Sequence, residues 1–292
     1  MVEDHLTDAQ FRRIASLVEN HTGIRVPASK RIMVEARLRK RVRALGLPDL
    51  SAYAALLAGD APEDEFPHFI NCMTTNKTDF FREPVHFDVL RDRVAPELLR
   101  RDSKRPLTLW SAACSTGAEP YTIAMVLDAM AREAPFRYRI LATDISTDVL
   151  AQARRAVFQL DMAAPIPPEM RRRYVLTSRD PGRAEFRIAP ELRANVGFGH
   201  LNLMDARYGV ENDVDVIFCR NVLIYFDRDV QHAVLTRLVS HLRPGGYLFL
   251  GHSESMAGVG LSVRQVLPTV YQKAAAPKRL AAGTDFPRTA AA

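Results

Sequence analysis

The sequence predicts an α/β fold in which a mostly parallel sheet carries a small antiparallel β insert, preceded by an all-α N-terminal domain. Three observations predict it. Residues 1–90 show helical periodicity with hardly a strand-like run. After Pro106, short apolar runs alternate with helical stretches, the pattern of parallel strands joined by crossover helices. Between about residues 157 and 195, Pro165, Pro167, Pro168, Pro181 and Pro190 cut the chain into pieces too short for one crossover helix, as in an inserted antiparallel element.

Taken in order, Thr7 is placed to cap a first helix in which Phe11, Ile14, Ala15 and Val18 recur at helical spacing, and Gly23 and Pro27 then interrupt. A second helix over residues 30–45 puts Val34, Leu38, Val42 and Leu45 on one face, and Gly46 with Pro48 ends it. Further helical stretches cover residues 51–57 and 65–73. LTLWSAAC, YRILATD, VGFGHLNL, VDVIFCR and GYLFLGH read as strands, with helices over 118–132 and 229–242. The division that results is a helical domain at 1–90, an α/β domain at 91–274 holding the β insert at 157–195, and a tail at 275–292. The tail is alanine-rich and poor in large apolar residues, so it is expected to be disordered.

At 292 residues the chain exceeds the roughly 100 to 200 residues of a usual single domain. A composition of 47% hydrophobic and 25% charged residues suits a globular protein with a sizeable core and excludes global disorder. No apolar run approaches the roughly 20 residues of a membrane-spanning helix. The N-terminus MVEDHLTDAQ is acidic and polar where a secretory leader is basic, then apolar. A cytoplasmic location without membrane insertion is therefore expected. Cys72, Cys114 and Cys219 are far apart and form no CxxC or Cys/His cluster, so they read as reduced core thiols, and no metal site is expected. The net charge of +6 points to an acidic partner, whether nucleic acid, anionic membrane or acidic protein surface.

The first α/β strand, LTLWSAAC, runs through STGAEP into the helix YTIAMVLDAM. Ser111, Ala112, Ala113, Ser115 and Gly117 at this junction are small enough for a ligand to approach the backbone, although GxGxxG spacing is lacking and small residues there also serve packing. The second strand ends at Asp144, about 27 residues beyond Gly117, where such folds hold a ribose by its hydroxyls. Asp144 is alternatively a cap for the next helix, a task Ser146 can also perform. Glu119, in the first turn after the junction, would repel a pyrophosphate. A nucleoside with a cationic or zwitterionic tail fits better than a dinucleotide.

Four segments carry a more specific signal: TTNKTDFFRE (74–83), WSAACSTGAEPYTIA (110–124), ATDIS (142–146) and IFCRNVLIYFD (217–227), with LRPGGYLFLGHSES (242–255) behind them. In order and spacing they resemble the chemotaxis receptor methyltransferases, the CheR family, over residues 5–273. The resemblance implies a Rossmann-like class I methyltransferase domain behind the helical one, with S-adenosylmethionine as cofactor and S-adenosylhomocysteine as product. It implies esterification of glutamate side chains on the cytoplasmic helical region of membrane chemoreceptors. By the same resemblance Asn76, Thr78 and Arg82 wall the cofactor and active site, Glu119 takes the cofactor's amino-acid end and Asp144 its ribose. Asn202 and Leu203 flank the adenine, Arg220 and Asn221 follow the fourth strand, and Arg82 and Tyr225 stand at the catalytic mouth. The insert loop SRDPGRAEF offers only Gly182, where members that tether a receptor peptide are glycine-rich.

A glutamate carboxylate, with a pKa of about 4.3, is already ionised and nucleophilic at neutral pH, so the implied reaction needs no general base. Alignment of oxygen, methyl and sulfur is the main task, worth roughly 7 to 11 kcal/mol at best. Arg82 is expected to orient one carboxylate oxygen, since a bidentate grip would occupy the attacking lone pairs. For the partner, residues 30–43 hold Lys30, Arg31, Arg37, Arg39, Lys40, Arg41 and Arg43 against the acidic Glu35. Lys30, Arg37 and Arg41 fall close together on the helix and are expected to steer an acidic receptor surface toward the cleft. Two rivals are set against this reading. A nucleic-acid methyltransferase suits the charge, but Arg220-Asn221-Val222-Leu223 stands where amino-directed enzymes carry Asp/Asn-Pro-Pro-aromatic. A non-catalytic regulatory module would have no use for Arg82 and Tyr225. A monomer with no nucleic-acid partner is expected.

Overall fold

The computed structural model describes residues 4–59, 62–180, 182–256 and 260–275. Apart from Ala275, the tail predicted to be disordered lies outside these residues. Helix α1 (Asp8–Thr22) starts in a capping box: the Thr7 hydroxyl accepts from Gln10 N, and the Gln10 side chain accepts from Thr7 N. Phe11, Ile14, Ala15 and Val18 are buried along it, as their spacing required. Gly23 ends it with φ 72°, and a Cβ there would also stand 2.6 Å from Met204 Sδ, so glycine is needed for both turn and close approach.

Helix α2 (Arg31–Ala44) buries Val34, Leu38 and Val42, whereas Leu45, past its end, is 40% exposed. Glu35 is buried on the same face; it accepts from Leu6 N and bonds His5 Nδ1, which the apolar spacing did not foretell. Helices α3 (Leu50–Ala58) and α4 (Glu65–Met73) complete a core of Tyr53, Phe69, Ile70 and Met73 with the first two. The next helical stretch is continuous: α5 (Val85–Val89), a π turn (Leu90–Val94) and α6 (Ala95–Arg101). Its Phe87, Leu90, Val94 and Leu98 pack into the α/β core, as does Phe80 before it.

The α/β part then runs β1 (Leu107–Ala112), α7 (Ala118–Glu133), β2 (Tyr138–Asp144), α8 (Thr147–Arg155), β3 (Val157–Gln159), α9 (Pro168–Tyr174), β4 (Val175–Thr177), β5 (Glu185–Ile188), α10 (Pro190–Arg193), β6 (Val196–His200), β7 (Val214–Cys219), α11 (Arg228–His241), β8 (Leu242–Leu250), β9 (Val263–Leu267) and β10 (Val270–Lys273). The main sheet is ordered β6-β2-β1-β7-β8-β10-β9. Its first five strands are parallel, and β10 and β9 close the edge antiparallel. The strand order reverses at β1, so the crevice beyond the C-terminal ends of β1, β2 and β7 is where such a sheet receives a ligand. β1 and β7 are buried at every position, which is why they read as unbroken apolar runs.

The insert is a three-stranded antiparallel sheet, β3-β5-β4, as expected. Phe158 and Phe186 of that sheet pack against Phe80, fixing the insert to the segment that precedes α5. All three cysteines are free; Cys114 and Cys219 are buried and Cys72 is partly exposed. Among the described residues no helix is long and apolar enough to cross a membrane.

Candidate active site

One cleft lies beyond the C-terminal ends of β1, β2 and β7, under the loops 74–79, 201–203 and 220–226. It is lined by Asn76, Thr78, Arg82, Glu119, Asp144, Asn202, Leu203, Arg220, Asn221 and Tyr225, all ten residues singled out in the sequence. The helical part closes it on one side with Thr22 and Ile24.

Asp144 ends β2 and is buried. Its Oδ2 accepts from Ser115 N at 2.8 Å and its Oδ1 from Ser146 N at 2.9 Å. Burial pushes this carboxyl up, opposed by those two N–H groups. Ser146 caps α8, its hydroxyl accepting from Val149 N, so Asp144 is left to the cleft. Each of its oxygens keeps a further lone pair for a ribose hydroxyl. At the β1 junction, Ala113, Cys114 and Ser115 line the cleft, with φ 60° at Ala113 and 51° at Ser115. Gly117 has a different task from the ligand approach expected of it: at φ 94°, a Cβ there would meet Ala153 Cβ at 3.0 Å, so this glycine lets α7 pack on α8.

Arg220 is the hub of the opposite wall. It is buried; Nη1 donates to Glu119 Oε2 at 3.0 Å, and Nη2 donates to Glu83 Oε2 at 2.9 Å and to the Arg82 carbonyl at 2.5 Å. Glu119 Oε1 accepts from Ser111 Oγ at 2.7 Å. One guanidinium between two carboxylates leaves the trio with one negative charge, which suits a cationic ligand tail and disfavours phosphate. Burial alone would raise Glu83, but Asn221 and Arg220 outweigh it and hold its carboxyl at about 2. Burial and Arg220 push the neighbouring His86 down to about 4, against the pull of Glu83.

Sequence reasoning missed Glu83 and Glu254. Glu254 is buried, and its carboxylate accepts four backbone N–H groups: Val222 and Leu223 on Oε1 at 2.8 and 2.7 Å, Asn221 and Gly251 on Oε2 at 2.9 and 2.6 Å. Burial raises its carboxyl, and the four donors work in the other direction. This fixes the turn in which Asn221 has φ 59°. Phe81, Glu83, Ala113 and Ser115 are left-handed as well, so of the eight such non-glycine residues among those described three line the cleft and two flank Arg82, which lines it. At roughly 1 to 3 kcal/mol each, such strain persists only where surrounding contacts over-determine the backbone. Both missed acids lie inside or beside the quoted motifs, but nothing in the sequence showed that they hold backbone and Arg220.

The helical part is stitched to the cleft by backbone contacts. Asn202 Nδ2 donates to the His21 carbonyl at 2.6 Å and its Oδ1 accepts from Met204 N, Arg25 N donates to the Tyr225 carbonyl, and Ser115 Oγ donates to the Asn76 carbonyl. The basic stripe on α2 needs correction. Arg37 donates to the carbonyls of Met73 and Thr74 and to Thr75 Oγ1, so it braces the loop that opens the cleft wall. Arg41 forms a bidentate pair with the buried Glu65, and Arg39 and Arg31 are bonded to the Asp4 carbonyl and Asp8. Charge and helical spacing cannot distinguish a solvated arginine from one bonded inward. Lys30, Lys40 and Arg43 remain exposed, as does Ile32 at 77% exposure.

A reversed-order parallel sheet with a carboxylate at the tip of its second strand and a second carboxylate in the first turn of α7, both lining one cleft, fits an S-adenosylmethionine-dependent methyltransferase. Comparison with known proteins narrows this. The profile for the CheR methyltransferase SAM binding domain matches residues 76–271, and that for the CheR methyltransferase all-alpha domain matches residues 9–74. Among curated relatives, the chemotaxis protein methyltransferase of Salmonella typhimurium is 41% identical over 254 residues, 87% of this chain and 86% of that one. The Escherichia coli protein of the same name is 42% identical over 252 residues, 86% of each chain. Chemotaxis protein methyltransferase 2 of Pseudomonas aeruginosa is 40% identical, covering 93% of this chain and 95% of that one. The chain belongs to the CheR methyltransferase family and is an S-adenosylmethionine-dependent methyltransferase of chemotaxis.

Proposed function

We propose that the protein transfers the methyl group of S-adenosylmethionine to glutamate side chains on the cytoplasmic helical region of chemoreceptors, acting as a cytoplasmic monomer. The observation that carries this reading is the pairing, in one cleft, of Glu119 and Asp144 with Arg82 and Tyr225. The donor set fits the cofactor: Asp144 takes the ribose hydroxyls, Glu119 the ammonium of the amino-acid tail, and Asn202 with Leu203 the adenine. Arg220 holds Glu119, Asn221, itself held by Glu83, faces the tail with Glu119, and Asn76 and Thr78 close the wall. The cofactor supplies an electrophilic methyl on a sulfonium. Arg82, whose Nη1 donates to the Lys77 carbonyl at 3.1 Å, turns one oxygen of the substrate carboxylate and leaves the other free to attack. Tyr225 lines both the cleft and a groove shared with Arg25, Lys30 and Ile224, so it stands where a substrate side chain enters.

That groove leads from the start of α2, where Lys30 is exposed, to the catalytic mouth. A receptor helix bearing glutamates would meet Lys30 and Arg25 first, with Ile32 and Ile224 offering apolar contact. The test is transfer of labelled methyl from S-adenosylmethionine by the full chain to receptor cytoplasmic fragments, RNA and DNA. The expected product is a base-labile ester on the receptor alone, formed at single-turnover rates nearly flat from about pH 6.5 to 8.5 because the nucleophile is already ionised. Arg82→Ala and Tyr225→Phe should lower that rate more than they weaken cofactor binding. A base-stable product, or labelled nucleic acid, refutes the reading.

A further inference from the structure

Glu83, His86 and His252 bring one ligand atom each to within 4.8 Å of one another, behind Arg220 and outside the cleft lining. His86 Nδ1 lies 3.5 Å from Glu83 Oε2, and His252 Nε2 lies 3.9 Å from the same oxygen. His86 is buried, and its Nδ1 has no hydrogen-bond partner. The other ring nitrogen sets the tautomer. His86 Nε2 is 2.8 Å from Thr269 Oγ1, and that hydroxyl donates its own proton to the Pro268 carbonyl at 2.7 Å. Thr269 can then only accept, so Nε2 carries the ring proton and Nδ1 presents a bare lone pair.

A bare nitrogen lone pair therefore faces a carboxylate oxygen inside the protein with no proton between them. Two acceptors so placed repel, and a cation between them converts the repulsion into ligation. We infer that Glu83 Oε2, His86 Nδ1 and His252 Nε2 form a binding site for a divalent transition metal ion of the zinc type. Two imidazoles and one carboxylate select such an ion over magnesium or calcium, which take oxygen ligands. The Thr269 contact is the outer hydrogen bond that a metal-ligating histidine ordinarily makes to fix its ring. Side-chain movements of a few tenths of an ångström bring three atoms at these separations to zinc–ligand distances of about 2.0 to 2.2 Å. A fourth position stays open toward solvent, since the His252 side chain is 58% exposed. The guanidinium of Arg220 shares Glu83 Oε2 and repels a neighbouring dication, which makes micromolar affinity the expectation. The ion would clip the turn that enters α5 to the loop after β8, two segments 166 residues apart in sequence that both support Arg220 and Asn221.

The test is titration of the chelator-stripped full chain with Zn²⁺ alone, read by competition with a chromophoric chelator and by native mass spectrometry. One Zn²⁺ per chain is expected, undisplaced by excess Mg²⁺. His252→Ala, at an exposed side chain, should weaken it by tenfold or more, and Thr269→Val by roughly 10- to 100-fold through loss of the outer hydrogen bond. Failure of the wild-type chain to take up one Zn²⁺, or equal binding by wild type and both variants, overturns the site.

Discussion

Replacing Arg41 by Met tests the correction to the basic stripe most directly. Arg41 Nε and Nη2 donate to Glu65 Oε1 and Oε2 at 3.0 and 2.5 Å, and Tyr53 Oη donates to Oε1 at 2.6 Å. The side chain of Glu65 is 3% exposed and that of Arg41 17%. Removing the guanidinium leaves a buried carboxylate with one hydroxyl donor, a change that costs about 3 to 5 kcal/mol. Amide hydrogen exchange in α2 to α4 should then accelerate by roughly a hundred- to several-thousand-fold. The pH dependence follows. Burial raises the Glu65 carboxyl, but the Arg41 and Tyr53 hydrogen bonds outweigh it and leave the group below its ordinary 4.5. A depressed folded-state value gives stability that is present above about 4.5 and lost as pH falls through the folded value. Arg41→Met should abolish that acid-side loss, and Arg41→Met with Glu65→Leu should recover most of the neutral-pH stability. Lys40→Glu, at an exposed position, should change exchange little while slowing receptor methylation at low salt. Unchanged exchange in Arg41→Met would refute the buried-pair argument and return Arg41 to a solvated, partner-facing role.

Asp144→Ala should sharply weaken S-adenosylhomocysteine binding by calorimetry, and NAD should not compete; unchanged affinity removes the ribose assignment. Glu254→Gln replaces a carboxylate holding four N–H groups with an amide that turns its own N–H toward two of them, at about 1 to 3 kcal/mol. Methyl transfer should fall by roughly 5- to 150-fold with Glu254→Asp intermediate, and wild-type rates in Glu254→Gln would show that the turn holds itself.

What the sequence made legible was periodic or positional. Helix α1 was readable from Thr7 and Phe11 to Val18 because cap and apolar spacing coincide there, and β2 was readable to the residue because YRILATD is apolar and bounded. The hairpin of β9 and β10 was missed, since its strands are short and β9 buries none of its residues fully. The ten cleft residues were legible through the motifs that carry the family resemblance: seven end or follow strands, where topology gathers side chains, and Asn76, Thr78 and Arg82 lie in the loop between α4 and α5. Glu83, Glu254 and the inward bonding of Arg37 and Arg41 were not. A buried charge is recognised by the partner that satisfies it, and here the partners are backbone atoms or side chains distant in sequence, which local spacing does not encode.

The same partners explain how the cleft suits a reaction in which charge disappears. On the proposed path a carboxylate anion and a sulfonium cation become neutral, so strong solvation of either reactant would deepen the starting state and slow the step. A guanidinium aimed at the substrate carboxylate from within the wall would do that. Arg220 is kept from it: Glu83 and Glu119 occupy both of its terminal nitrogens, and its face lies over Phe87. Arg82, with no carboxylate within 4 Å among the described residues, is left at the partly exposed mouth, where water screens it and where, on the proposed path, one hydrogen bond would orient an oxygen. The backbone that carries both arginines is itself fixed, by the left-handed residues at 81, 83 and 221 and by the carboxylates of Glu83 and Glu254 that hold them. On that path position, more than charge, is what this wall would supply, and its anchoring acids would act through the backbone and Arg220, since neither of them lines the cleft.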